Sequence, residues 1–301
     1  MNETLATVLC YPCYAYAGLP YDVVKLRLQT QGRVREYKGV TDALVRIARN
    51  EGIRSLGKGG TPHLAGWLLY TPLTSAFGRV SKKTVTMLQL QKAGREDGMT
   101  LEAALEASVT ALAVSTATTV PENIACKLQF QRAPLGQEGA VYRGPLDCIT
   151  KVFKLEGIPG LFRGYSSVLL RDVPATPIIV GVFHATTPIT ERVVGVGEEN
   201  PFAALASTLL GTAAGVGLLY PADVVKSHMQ TTSASNPLTL REGFRSVYAQ
   251  HGLRGFYRGG MAAAMGGSIS LTVFAAAFYA FMPPNNSAGG KENEGFSGGE
   301  N

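Results

Sequence analysis

Charge is missing from long stretches of this chain. No Asp, Glu, Lys or Arg occurs in residues 4–21, 59–78, 173–190, 201–222 or 261–282, and 107–121 is equally free of them. Runs near twenty residues are long enough to cross a bilayer as helices, which disfavours one large soluble helical core. Mean hydropathy is nevertheless only +0.09, because the runs are rich in Gly, Ala, Ser, Thr, Tyr and Pro. Mixed helices of this kind suit a bundle with one face on lipid and another on water or on close helix contacts.

Cysteine and histidine are scarce as well, at four each. Four cysteines are too few for a disulfide framework, and Cys10 and Cys13, although at redox spacing, sit inside an apolar run without a strand–helix–strand pattern. They are expected to be small core residues. His63, His184, His228 and His251 show no ligand spacing, so no metal site is expected, and no cofactor. No nucleophile–base pair stands out to supply catalytic residues. The start, Met1 to Thr4, lacks the positive segment of a cleavable signal peptide. No nucleic-acid motif accompanies the net charge of +6.

What is present is one pattern written three times. The first copy holds Pro20, Asp22, Lys25 and Gln29, followed by Glu51, Gly52, Lys58 and Gly59. The third holds Pro221, Asp223, Lys226 and Gln230, followed by His251, Gly252, Arg258 and Gly259. A looser middle copy holds Pro121, Glu122 and Gln129, with Ala125 where the base should stand, followed by Glu156, Gly157, Arg163 and Gly164. Two spaced motifs keeping one register through three repeats define the architecture before any local motif is weighed. They also dispose of a near match to a phosphate-binding loop at Gly52 to Gly59, which no strand precedes and which ends on Gly where Ser or Thr should bind magnesium.

Each repeat reads as a long helix, a basic loop with a short amphipathic helix, and a second long helix. Residues 1–100, 101–200 and 201–283 form the three repeats, and 284–301, rich in Gly, Asn, Ser and Glu, read as a disordered tail. In the first short helix Val40, Leu44, Ile47 and Ala48 share a face opposite Arg46 and Arg49, a pattern that fits a helix lying on the membrane surface. Sixteen Lys and Arg follow the first, third and fifth runs, against three to five in the alternate loops. That asymmetry assigns sides, and six crossings leave both termini on the less basic side. The prolines remove backbone bonds and bend the odd-numbered helices, so an acid and a base beyond each bend can converge as a ring of ion pairs. Three separate surface pairs are the plainer alternative.

These motifs resemble the mitochondrial carrier family over about residues 5 to 283. The resemblance implies an all-α membrane protein, with six transmembrane helices in a threefold pseudo-symmetric barrel and three short matrix-side amphipathic helices. It further implies residence in the inner mitochondrial membrane with both termini on the intermembrane-space side, and alternating access to one central site. By position, the matrix gate comprises Asp22, Lys25, Glu122, Asp223 and Lys226. Glu122 would pair with Lys226 and Asp223 with Lys25, Asp22 being left facing Ala125. Gln29, Gln129 and Gln230 would brace the bridges. The opposite gate departs further, with Arg79, Lys82, His184, Thr187, Tyr279 and Met282 at positions where the family has acids and bases; weak closure there would let one-way transport compete with exchange.

Substrate contacts in the family lie seven residues beyond each Lys/Arg-Gly glycine, here Gly66, Arg171 and Gly266, with neighbours Trp67, Asp172 and Gly267. Arg171 can grip a carboxylate while Asp172 meets a cation. That suits a zwitterion, whether amino-acid-like, carnitine-like or S-adenosylmethionine-like. The stretch from Arg171 to Ala175 is similar to that of carnitine/acylcarnitine and amino-acid carriers. Trp67 offers an aromatic face to a cation or ring, or packs against neighbours or lipid. Gly39, Gly59, Gly144, Gly164 and Gly259 are expected to cradle cardiolipin phosphates, ordinary loop turns being the other account. The expected partners are therefore a small metabolite and membrane lipid, with the chain a monomer. A carrier-fold protein that has lost transport and acts as receptor or scaffold is the alternative.

Overall fold

The structure, a computed structural model, describes residues 3–87, 101–133, 135, 139–194, 201–232 and 236–281. The described residues are helical and contain no strand. Six long helices alternate with short elements. The first repeat has α1 (Glu3–Thr30), α2 (Val40–Glu51), a 3-10 turn (Ile53–Gly57) and α3 (Gly60–Met87). The second has α4 (Leu101–Phe130), α5 (Pro145–Leu161), which breaks at Gly157 (φ 67°, ψ −160°), and α6 (Tyr165–Val194). The third has α7 (Pro201–Thr231), α8 (Leu240–His251), a 3-10 turn (Leu253–Tyr257) and α9 (Gly260–Phe281).

The long helices pack in chain order, α1 on α3, α3 on α4, α4 on α6, α6 on α7 and α7 on α9, and α9 returns to α1. Glycine makes the tightest of these contacts possible. A Cβ on Gly18 of α1 would stand 2.4 Å from Ser270 Oγ of α9, and one on Gly211 of α7 would stand 2.7 Å from the Ile179 carbonyl of α6. Three helical stretches, Tyr165–Thr190, Ala206–Thr231 and Leu253–Ala277, are long and apolar enough to cross a membrane. The helices α1, α3 and α4 are as long but more polar, because they carry Tyr11, Tyr14, His63, Tyr70, Thr110, Ser115 and Thr118, which line the interior cavity described below.

The short helices pack part of their apolar stripes on the neighbouring long helices. Ala43 and Ile47 of α2 are buried against Val23, Val24 and Leu28 of α1, with Val40 and Leu44 packed alongside. Cys148 and Val152 of α5 pack on Ile124 and Leu128 of α4, and Val247 of α8 packs on Val224 and Val225 of α7. Each fully buried aliphatic side chain contributes roughly 1.5–3 kcal/mol, so the neighbouring long helix holds part of each stripe, while Phe153 and Tyr248 stay exposed. The first turns are fixed by carboxylates. Asp42 accepts from the Lys38 backbone N–H at 2.9 Å and Asp147 from that of Arg143 at 2.9 Å. In α8 Thr239 and Glu242 form a reciprocal capping box. The backbone N–H of Lys38 holds the Asp42 carboxyl below the usual aspartate range.

The expected tail, 284–301, lies outside the described residues, as do the side chains of Arg79, Lys82, Tyr279 and Met282. All four cysteines are free, Cys10, Cys126 and Cys148 buried and Cys13 exposed.

Candidate binding site

Helical periodicity aligns Tyr11, Tyr14, Asp22, Lys25 and Gln29 along one face of α1, and His63, Trp67, Tyr70 and Thr74 along one face of α3. With Ser115, Thr118 and Glu122 of α4 and Arg171, Asp172 and Thr176 of α6, most of these enclose a cavity of about 620 Å³. Its lining includes Gly66, Trp67, Arg171 and Asp172 but neither Gly266 nor Gly267. Those two sit on α9, which lies so close to α1 that a Cβ on Gly266 would meet Tyr21 Cβ at 2.7 Å. Counting seven residues along α9 thus reaches a helix contact instead of the cavity wall.

The cavity floor is a connected set of ion pairs. Lys25 Nζ lies 2.6 Å from Asp223 Oδ2, and Lys226 pairs with Glu122. Asp22 has no ion pair among the described residues, and the base position opposite it is the buried Ala125. Arg171 ties the floor together. Its Nε donates to Asp172 Oδ1 at 2.5 Å and its Nη1 to Asp223 Oδ1 at 2.7 Å, and Nη2 stands 3.6 Å from Glu122. One guanidinium therefore serves its own neighbour and both paired acids of the floor. Sequence reasoning treated Arg171 as a contact residue and missed this link. Asp172 is in turn held by Ser115 Oγ, which donates to its Oδ2 at 2.8 Å. No motif pointed to Ser115.

The three glutamines differ. Gln29 Nε2 donates to Asp223 Oδ2 at 3.1 Å and to Tyr220 Oη at 2.9 Å, and its Oε1 accepts from Ser227 Oγ at 2.7 Å. It braces the Lys25–Asp223 pair from beneath. Among the described residues the Gln129 side-chain amide reaches only His63 Nε2, at 3.5 Å. Gln230 is fully buried, and neither atom of its side-chain amide has a partner among the described residues. A smaller cavity of about 160 Å³ lies among these residues, lined by Asp22, His63, Ala125, Gln129 and Gln230 as well as the paired charges.

Below this floor the Lys/Arg-Gly motifs join each repeat to the next. Lys58 Nζ donates to the carbonyls of Gln131 at 2.7 Å and Arg132 at 3.1 Å, just past the end of α4. Arg163 Nη1 donates to the Thr232 carbonyl past α7 at 2.8 Å, and Arg258 Nη1 to the Gln31 carbonyl past α1 at 3.4 Å. Carbonyls at a helix C-terminus lack intrahelical partners and attract cations, so each base caps the first long helix of the following repeat. Glu51 and Glu156 hold the first two bases in place. The third repeat has His251 instead, whose Nε2 faces the Gln31 carbonyl at 3.0 Å. Burial pushes the His251 imidazole below its ordinary pKa.

The glycine after each base has two reasons to be glycine. Gly59, Gly164 and Gly259 have φ of 83°, 83° and 76°, in the region other residues avoid. A Cβ there would also press on the next repeat, 3.0 Å from Gln129 Nε2, 3.0 Å from Gln230 Cγ and 2.9 Å from the Lys25 carbonyl. Gly39 and Gly144 are different. Their backbones are extended, at φ −177° and −179°, and nothing lies within 4 Å of a Cβ on either. On the opposite gate, Thr187 donates to its own helix at Phe183 and His184 packs edge-on to Phe183.

The model of the family described as mitochondrial carrier protein matches residues 2–88, 99–190 and 197–282, nearly the whole chain in three segments. Protein dif-1 of Caenorhabditis elegans is 32% identical over 82% of this chain and 80% of its own. The mitochondrial carnitine/acylcarnitine carrier protein of Macaca fascicularis is 30% identical over 82% of each. The mitochondrial basic amino acids transporter of Bos taurus is 30% identical over 80% of this chain and 78% of its own.

Proposed function

The chain belongs to the family of mitochondrial carrier proteins, and from that premise we propose that it moves a small zwitterionic metabolite across the inner mitochondrial membrane by alternating access. The observation that carries this reading is the Arg171–Asp172 pair on the cavity floor, neighbouring charges of opposite sign in an enclosed space. Charges within a membrane are costly and mark functional sites. The six long helices form the barrel, both termini face the intermembrane space, and the chain works as a monomer. Two of the relatives are named for carnitine with acylcarnitine and for basic amino acids, compounds that unite a carboxylate with a cation, while others are named for NAD and magnesium.

In this mechanism the cavity opens away from the basic loops while Lys25–Asp223 and Lys226–Glu122 close the matrix side. An arriving carboxylate takes the guanidinium of Arg171, because a bidentate pair is the strongest hydrogen-bonded partner it can find. Asp172 is released to the ammonium of the same substrate, and Ser115 keeps its carboxylate aimed into the cavity. Asp223 and Glu122 each lose a base at the same moment, so occupancy of the site loosens the gate directly beneath it. Ligand binding can shift such an equilibrium only by its differential affinity for the two states, and Arg171 supplies that difference. Cardiolipin phosphates are held at the helix starts by Gly39, Gly59, Gly144, Gly164 and Gly259 through backbone N–H groups.

Thermal stability of the purified protein against amino acids, carnitine esters, S-adenosylmethionine, nucleotides and dicarboxylates tests this reading, since a ligand bound only by the folded form raises the melting temperature. At least one zwitterion should stabilise the protein and be taken up by liposomes containing it. Arg171→Ala should abolish that response while the unliganded protein still folds. An unchanged response in the variant, or stabilisation by nucleotides alone, would refute the proposal. A chain that binds and moves none of them would be a receptor or scaffold.

A further inference from the structure

The two cavities together are lined by four carboxylates, Asp22, Glu122, Asp172 and Asp223, and by three bases, Lys25, Arg171 and Lys226. Among the described residues, the Asp, Glu, Lys and Arg side chains that line this space sum to one net negative charge. The unmatched acid is Asp22, whose counterpart position is Ala125, and the cavity beside it also holds the unpartnered amide of the fully buried Gln230. A net charge facing a membrane interior is unfavourable. A solute that brings one excess positive charge balances it, and one that brings none leaves it standing.

Above Asp22 on the same face of α1 the wall becomes aromatic. Tyr11 stacks on Trp67 with centroids 4.0 Å apart and planes within 10°, and Tyr14 stacks on Tyr11 at 5.3 Å. Tyr11, Tyr14, Trp67 and Tyr70 all line the larger cavity, so this stack is a wall facing the solute space. Such faces attract planar or onium cations, tryptophan most strongly. Thr110, Ser115 and Thr176 line the same cavity and bring no charge to it.

Building on the proposed zwitterion site, we infer that the substrate carries a second cation. It is an α-amino acid of net charge +1 whose side chain ends in a planar or sulfonium cation, seated on the Tyr11–Trp67 wall with Asp22 as its counter-charge. The carboxylate goes to Arg171 and the ammonium to Asp172, as in the reading on which this rests. The aromatic wall then reads the shape of the side chain, and Asp22 reads its charge.

Two pairs of compounds isolate that second charge. L-Arginine and L-citrulline share a planar terminus and differ in charge, and S-adenosylmethionine and S-adenosylhomocysteine differ at sulfur. Half-saturating concentrations for thermal stabilisation of the full-length protein are measured for all four. In at least one pair the cationic member should bind tenfold or more tightly than its neutral partner. Asp22→Asn should bring that ratio toward one with little change for the neutral compound, and Trp67→Leu should weaken the charged member several-fold. Equal binding within both pairs, tighter binding of the neutral members, or no binding by any of the four would overturn the inference. If carnitine or a neutral amino acid then stabilises the protein in an Arg171-dependent manner, the zwitterion site survives and only the second cation is lost. If dicarboxylates or nucleotides alone stabilise it, both readings fall.

Discussion

Restoring the missing base is the sharpest test of how the floor of the cavity works. In Ala125→Lys the new ammonium would enter the 160 Å³ cavity that Ala125 lines together with Asp22. At about 4 Å an ion pair gains roughly 4 kcal/mol where the effective dielectric is near 20. Desolvation of the lysine and the loss of its side-chain freedom remove most of that gain, leaving on the order of 1 kcal/mol in favour of the closed state. One kcal/mol lowers the population of the open gate about fivefold and raises the melting temperature of a chain this size by roughly 2 °C. The assays are thermal unfolding of the purified protein and initial uptake into liposomes. Ala125→Met fills similar space without charge and separates packing from pairing. The Lys variant should be more stable and slower than the Met variant, and adding Asp22→Asn should erase the difference. If Lys and Met behave alike, or if the Lys variant is less stable and turns over unchanged, Asp22 is not the partner waiting at that position.

Two further outcomes follow from the interfaces. Gly259→Ala should lower stability by about 1–3 kcal/mol, since it combines a strained φ with a 2.9 Å approach to the Lys25 carbonyl; Gly39→Ala, extended and unobstructed, should stay within about 0.5 kcal/mol, and denaturation of the two variants decides it. For His251 the folded pKa lies below the unfolded value, so the unfolded chain binds the proton first. Its stabilising contribution is present above an unfolded pKa near 6.5 and is lost as pH falls through the folded pKa. The drop in melting temperature from pH 7.5 to 5.5 should therefore be smaller in His251→Gln than in the native protein, and an equal drop would remove His251 from that titration.

The repeated spacing made the long–short–long order of each repeat legible, and the family resemblance named Lys25 with Asp223 and Lys226 with Glu122, which the structure brings together. Both depend on residues fixed relative to their own helix. What stayed hidden depends on how one helix is rotated against another. The reach of Arg171 to Asp223, the support of Asp172 by Ser115 and the Tyr11–Trp67 stack each join residues 52 or more positions apart. No periodicity within one element encodes them. Gly266 illustrates the same point from the other side, since the count along α9 was regular but the close seating of α9 on α1 put that position in a helix contact. The amphipathic stripes were legible as stripes, yet their partner was the neighbouring helix.

The capping bases close a hoop, each repeat holding the frayed carbonyls of the next, and the last holding those of the first. Such a hoop is as strong as its slackest join. Two joins are drawn tight by a glutamate beside the cation, while the join from the third repeat back to the first has His251 in that place, a 3.4 Å reach from Arg258 to Gln31, and His228 Nε2 at 2.9 Å from the Gln29 carbonyl. At that seam the threefold pattern written into the chain departs from itself, one repeat closing on an imidazole where the other two close on a carboxylate.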